Sequence, residues 1–256
     1  MARDSNRTEV APLQEKPQRP VRKTGASSEP GTTARDPAST LNLPGSRERI
    51  LDAALAEFAD KGLSGARVDR IAEVVRTSKA MIYYHFRSKD ALYRAVLARA
   101  YEGIRVAESD VHTDALTPEE ALRTIIATSF DYHSNHPAFV RLVMSENIHR
   151  AKHMDMSSRV INRKIIETLK SVLERGQVAG SFRPDIDPVQ LHLTISGLGF
   201  HFVSNQSTFS RAFDIDMSSP AARNWRREIV IDTVLRWVKL FPSADGNSLK
   251  KRKTAN

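Results

Sequence analysis

The sequence has no cysteine, which excludes disulfides and thiolate metal sites and suits a reducing compartment, the cytoplasm. No apolar run reaches the ~18 residues of a membrane span. Met1-Ala2-Arg3-Asp4-Ser5 offers no apolar core for a secretory signal, and none is expected. The marks of an enzyme are missing too. No paired carboxylates stand at a recognisable spacing and there is no thiol nucleophile. Gly197 and Gly199 make no nucleotide loop, because no strand precedes them and no third glycine follows at the right spacing. The expectation is a chain that is not an enzyme and holds no cofactor. Acidic residues are also in deficit, 30 Asp and Glu against 39 Lys and Arg. The resulting net charge of +9 favours a polyanionic partner.

Large apolar side chains are scarce before residue 46. Residues 1–45 carry Pro12, Pro17, Pro20, Pro30, Pro37 and Pro44 among Ser, Thr, Arg and Glu, and cannot bury enough surface to offset ordering entropy. A disordered tail is expected there, its basic residues interleaved with Asp4, Glu9, Glu15, Glu29 and Asp36. From Ser46 the pattern changes. Ile50, Ala54 and Phe58 form a stripe at four-residue spacing, widened by Leu51 and Leu55, so a helix is expected over 47–61, capped by Ser46 and stopped by Gly62. Val68, Ile71, Ala72 and Val75 repeat the i, i+3, i+4, i+7 pattern of a second, short helix. Ser78 can cap a third, which turns Ile82 and Phe86 inward and leaves Lys79, Met81, Tyr83, Tyr84 and His85 on other faces. Two short helices, a tight turn and a cationic, hydrogen-bonding outer face make a helix-turn-helix. A fourth helix, from Ser88 to about Ser109 with Leu92, Val96 and Ala100 on one face, outruns what a small head needs and is expected to carry it into the next domain. Gly103 is expected to soften its end.

These residues resemble the DNA-binding domain of TetR/AcrR-family transcriptional regulators. The likeness rests on Ile50-Leu51-Asp52-Ala53-Ala54, Phe58, Lys61-Gly62, Val68-Asp69-Arg70-Ile71-Ala72 and, above all, Ser78-Lys79 followed by Ile82-Tyr83-Tyr84-His85-Phe86-Arg87-Ser88-Lys89-Asp90-Ala91-Leu92. The resemblance implies that Arg67 meets a phosphate, that Ser78 belongs to the DNA-binding set, and that Lys79, Ala80 and Met81 face base edges from the first turn of a recognition helix. It places Tyr83, Tyr84 and His85 against phosphates, sugars or thymine methyls, and Lys89 on phosphate. The chemistry agrees: Lys donates to guanine O6 or N7, Met packs on a thymine methyl, and a Tyr hydroxyl donates to phosphate. Two positions depart from the family. Ala66 stands where a Thr or Ser commonly caps the second helix, and Arg76 where the turn usually has Gly.

The expected fold is all-α: a disordered tail at 1–45, a three-helix helix-turn-helix domain at 46–92, a larger helical effector-binding and dimerisation domain at 93–241, and a basic disordered tail at 242–256. In the larger domain Thr117-Pro118-Glu119-Glu120 opens one helix and Pro137 ends it; further helices are expected from Ala138, over 155–176, and over 221–241. Val189 to Ser196 alternates as a strand would, yet Pro188 suits a first helical turn and the surroundings are helical, so helix is expected. Asn205 to Ser219 is expected to be a loop. The resemblance implies a homodimer through the last two long helices and a palindromic DNA operator. The segment from Pro137 to Arg150 is similar to a branch of the family that holds repressors of pyrimidine use and nicotinate degradation, which implies a small aromatic or heterocyclic acid as effector. Candidate lining residues are Phe139, Met144, Asn147, Arg150 and Phe200. Glu146, His149 and His153 have a spacing that can bind zinc, but a polar helix face or effector contacts are the expected use, with no metal. The function expected is a homodimeric repressor released from its operator by a small molecule. The alternative is a DNA-binding regulator, activating or partner-controlled, without one.

Overall fold

The computed structural model describes residues 45–154 and 158–240, with 158–161 by backbone only. The tails expected at 1–45 and 242–256 lie outside the described residues, apart from Gly45. So do Asp155 and Phe241, expected to open and close helices. The described residues form ten helices: α1 Ser46–Gly65, α2 Val68–Val75, α3 Lys79–Phe86, α4 Lys89–Ser109, α5 Pro118–Asn135, α6 Pro137–Ile148, α7 Ser158–Val178, α8 Pro188–Ser204, α9 Gln206–Phe213 and α10 Pro220–Val238. Their one extended pairing is a bridge between Phe182 and Lys239.

Two cores hold the helices. The first gathers Ile50, Leu51 and Phe58 of α1, Ile71 of α2, Ile82 and Phe86 of α3, and Leu92, Tyr93 and Val96 of α4. It does not stop at the head: Phe139, Val140, Leu142 and Val143 of α6 belong to it. The second core joins Leu122, Ile126 and Phe130 of α5, Leu169 and Val172 of α7, Leu191 and Ile195 of α8, and Val230, Val234 and Val238 of α10. Burying a side chain such as Phe58, 0% exposed, contributes about 2–3 kcal/mol.

Helix starts follow the local chemistry. Thr117 and Glu120 complete a capping box on α5. Ser78, Ser88, Asp187 and Ser219 each accept a hydrogen bond from an amide of the first turn of α3, α4, α8 and α10. Ser46 does not cap α1. Gly45, at φ 84°, occupies that position, and Ser46 is the first helical residue. Gly62 breaks the helix at φ 66°, ψ 175°, and one more helical turn follows to Gly65. Ala66 is not at the capping position either; it is buried, and Arg67 caps α2 without a side-chain bond. The Arg67 amide instead donates to Glu57 Oε1 of α1 at 2.9 Å.

Arg76 adopts the left-handed conformation at φ 56°, ψ 49°, as a turn built for glycine would. An L side chain there is strained by about 1 kcal/mol. Arg76→Gly is expected to stabilise the fold by about 0.5 kcal/mol in urea unfolding and, by removing an exposed cation, to weaken DNA binding and its salt dependence. A lower midpoint would show that the Arg76 side chain contributes more than its backbone strain costs.

Two expectations change, at 205–219 and at Gly103, while the helix expected over 189–196 is found. The 205–219 loop holds the helix α9, none of whose residues is buried. Its Ser, Thr and Gln content reads as loop, and Phe209 and Phe213, one turn apart with rings 5.3 Å apart, are the helical signal that composition hides. The strand-like alternation of 189–196 lies within α8, which is apolar on two sides: Leu191 and Ile195 face the second core, while Val189 and Leu193 are exposed. Gly103 does not soften α4, which continues to Ser109. A Cβ there would run into the Tyr132 hydroxyl, so the glycine gives that side chain of α5 its room.

Candidate functional site

The outer side of α3 carries Lys79, Ala80 and Tyr84, all exposed, with Met81, Tyr83 and His85 half-buried at its edges. Ile82 and Phe86 fix the opposite side in the core, so the helix cannot rotate without emptying two buried pockets. Ser78 Oγ accepts from the Met81 amide at 3.1 Å. Lys79 reaches across to Asp69 of α2, Nζ to Oδ1 at 3.2 Å, with both side chains about half exposed. Lys89 Nζ donates to the Ser64 carbonyl at 3.2 Å and ties α4 to the end of α1. Arg67, Arg76 and Arg87 are exposed on the same head, and Arg47 sits over the Phe86 ring at 5.2 Å. Exposed cations thus surround an α3 whose outward groups can donate hydrogen bonds.

A second feature lies between α4, α5, α6 and α8: a cavity of about 420 Å³. Phe139, Asn147 and Phe200 reach its wall. Val143 joins them, since 139, 143 and 147 share one face of α6 at four-residue spacing. Met144 and Arg150 do not line it. Met144 is turned by one residue to an exposed face, and Arg150 lies beyond the helix end at φ 57°. Tyr101 and Phe139 meet edge to face at 5.7 Å, and the His133 ring lies 5.9 Å from Phe139 and 6.2 Å from Phe200.

The inner end is polar and was not anticipated. Arg105, only 9% exposed, is bound through Nη1 to Glu108 and to His192 Nε2, the latter at 3.0 Å, and through Nε to Asn162 Oδ1 at 2.7 Å. His133 Nδ1 donates to the Ser129 carbonyl at 2.7 Å. Burial pushes the Glu108 carboxyl up, against the pull of Arg105. Burial holds both imidazoles down, His133 to about 4 and His192 to about 4, with the Arg105 charge adding to it. Burial also raises the Tyr101 phenol. The signal was faint but present: Arg105 and Glu108 interrupt the apolar stripe of α4 at i, i+3, and His133 follows Ile126 and Phe130 on the buried stripe of α5.

Two bases with depressed pKa values make stability depend on pH. Between about 4 and 6.5 the unfolded chain binds protons at His133 and His192 that the folded chain does not, so stability is full above 6.5 and falls with pH below it. Each imidazole accounts for on the order of 3 kcal/mol over that range; Glu108, raised by burial, works in the opposite sense. Urea unfolding at pH 7 and pH 5 is expected to show a marked loss at the lower value, reduced in His192→Asn. Equal stability at both would mean that water reaches the imidazoles.

Glu146, His149 and His153 do not converge on one point. Glu146 accepts from the His153 amide at 2.6 Å and pairs with His153 Nδ1 at 3.0 Å, both buried, whereas His149 donates to the Ser145 carbonyl. His153 packs edge to face on Tyr93 of α4 at 5.2 Å.

Known proteins place this architecture. The family described as "Bacterial regulatory proteins, tetR family" matches residues 50–96, and "Tetracyclin repressor-like, C-terminal domain" matches 118–234. The HTH-type transcriptional repressor NicS of Pseudomonas putida is 32% identical over 195 residues, 75% of this chain and 92% of that one. The HTH-type transcriptional regulator RutR of Escherichia coli is 30% identical over 156 residues, 61% of this chain and 73% of that one. The crystal structure of AibR in complex with isovaleryl coenzyme A and operator DNA shares the fold, with a TM-score of 0.57 at 17% identity over 73% of this chain and 97% of that one. The helix-turn-helix head, the helical domain behind it and these relatives agree: the chain belongs to the TetR family of DNA-binding transcriptional regulators and is not an enzyme.

Proposed function

We propose that the protein is a homodimeric repressor that holds a palindromic operator and releases it when a small molecule fills the cavity between α4, α5, α6 and α8. The observation that carries this is α6. One face of it, with Val143 and Asn147, walls the cavity, while Val140 and Leu142 share the head's core with Ile50, Leu51 and Phe58 of α1. A ligand that shifts α6 therefore bears on the helices that aim α3. The ligand must prefer one of the two arrangements for the operator to be released.

On DNA, Lys79, Ala80 and Met81 meet base edges at the start of α3, and Ser78, Tyr83, Tyr84, His85, Arg67 and Lys89 meet the backbone. The exposure of Arg67, Ser78, Lys79, Ala80 and Tyr84, with Met81, Tyr83, His85 and Lys89 half-buried beside them, and the surrounding cations support this. Two copies of α3 would enter successive major grooves about 34–36 Å apart. The second copy is expected on α8 and α10: Trp225, 74% exposed, and Ile229 line a groove of about 430 Å³ with His201 and Phe209, and an exposed indole suits a partner surface. No described helix is long and apolar enough to cross a membrane, and a cytoplasmic site of action fits a DNA reader.

Selection of bound sequences from random DNA tests the proposal. A palindrome enriched by the purified protein supports a dimeric reader, and its genomic neighbours supply compounds for a release assay. A reproducible half-site without a second copy would sink the dimer. A palindrome that none of those compounds releases would favour control by a partner protein.

A further inference from the structure

The cavity between α4, α5, α6 and α8 carries a charge balance that selects what can fill it. Its polar end holds one cation and one anion, and they are bound to each other: Arg105 Nη1 to Glu108, both buried. The two imidazoles add no charge at neutral pH, since burial holds both near 4. Glu146 and His153 pair with each other and do not line the cavity.

The neighbours also fix which nitrogen of each imidazole carries the proton. His133 Nδ1 meets a carbonyl oxygen at 2.7 Å and must donate, so the nitrogen left over, Nε2, is an acceptor. His192 Nε2 meets Arg105 Nη1 at 3.0 Å. A guanidinium nitrogen only donates, so Nε2 accepts and the ring proton is on Nδ1, a donor. The polar end thus offers one acceptor and one donor of opposite sense beside flat walls made by Tyr101, Phe139 and Phe200.

We infer that the cavity takes an uncharged planar ring bearing both a hydrogen-bond donor and an acceptor, an aryl or cyclic amide, and discriminates against the matching carboxylate. This rests on the cavity being the effector site, and it departs from the acid that the branch resemblance implied. A carboxylate has two ways to sit there. It can remain an unpaired anion in the interior, or it can take Arg105 and strand Glu108 instead. The first leaves a buried negative charge without a partner; the second leaves Glu108 without its cation, so that it must take up a proton at a cost to affinity at neutral pH. An amide leaves the ion pair intact: its N–H donates to His133 Nε2 and its carbonyl accepts a hydrogen bond from His192 Nδ1–H.

Benzamide and benzoate have the same ring and differ in charge, so they serve as probes. Calorimetric titration of the full chain at neutral pH is expected to show benzamide bound about tenfold or more tightly than benzoate. Glu108→Gln removes the anion and leaves Arg105 unmatched, so the preference is expected to reverse in that variant; should it fail to fold, the wild-type pair alone decides. Tighter binding of benzoate by the wild type overturns the inference and leaves the cavity as the effector site. Binding of neither probe at millimolar concentration also overturns it, and operator selection still judges the DNA reading. Gly197→Trp, with sedimentation unchanged to show that the proposed interface on α8 is intact, locates the probe, because a Cβ at 197 meets nothing within 4 Å and the indole can cover the mouth. Loss of benzamide binding in that variant is expected. Unchanged binding would put the ring elsewhere and remove the cavity reading along with the inference.

Discussion

The double variant Lys79→Ala, Tyr84→Ala is expected to lose about a thousandfold in affinity for the proposed operator, in fluorescence anisotropy at fixed salt, while its sedimentation stays that of the wild type. The magnitude comes from counting contacts. A good base or phosphate contact is worth about 1–3 kcal/mol, and a dimer on a palindrome makes each of them twice. Nothing in the free protein offsets the loss. Tyr84 is 74% exposed and belongs to neither core, and its ring lies edge to face with His85 at 5.5 Å. Lys79 must leave Asp69 to reach DNA, but both partners are half exposed, and such a pair contributes about 0–1 kcal/mol. The single changes separate the roles. Lys79→Ala should relax preference at particular base pairs, whereas Tyr84→Ala should weaken all sequences more evenly. Operator affinity within about threefold of wild type in the double variant would remove α3 as the reading helix.

The head was largely legible in the sequence because its signals are local. The stripe of Ile50, Ala54 and Phe58, the cap at Ser78, and the pair Ile82 and Phe86 each lie within one or two helical turns, and the structure buries or bonds all of them. Arg76 was legible as a strained turn for the same reason. What the sequence hid depends on distant partners. The Arg67 amide is satisfied by Glu57, ten residues back on another helix, which a search for a capping Ser or Thr does not find. The alternation at 189–196 misleads because α8 has a core on one side and a cavity on the other, so two apolar faces overlay into a period of two. The cavity itself was only half visible. Phe139, Asn147 and Phe200 stood out by type, but its charged end joins Arg105 to Asn162 and His192, 57 and 87 residues further along the chain. No spacing rule spans that distance.

That charged end yields the other large effect. Arg105→Met is expected to destabilise the fold by about 3–5 kcal/mol in urea unfolding at pH 7, because it leaves the Glu108 carboxylate, 3% exposed, without its cation. Methionine fills the space of the stem, so the loss is chiefly electrostatic. Glu108 can limit it by taking a proton, which makes the variant relatively less impaired at lower pH. Adding Glu108→Leu should recover most of the stability, since two apolar side chains in place of a buried pair are often near neutral. The recovery is not complete: Asn162 Oδ1 and His192 Nε2 lose their donor in both variants. A single variant that costs less than about 1 kcal/mol would show that water already screens the pair. The double variant then separates the two roles of α4. Leu92 and Tyr93 hold its first turns in the head's core, and Arg105 and Glu108 close the far end of the cavity. With folding restored and the head untouched, operator affinity should return to near the wild-type value. The response to a ring in the cavity should not, because His192 has lost the guanidinium that fixed its proton. If ligand-driven release survives intact in the double variant, the polar end serves the fold alone and the cavity recognises its ligand through Tyr101, Phe139 and Phe200.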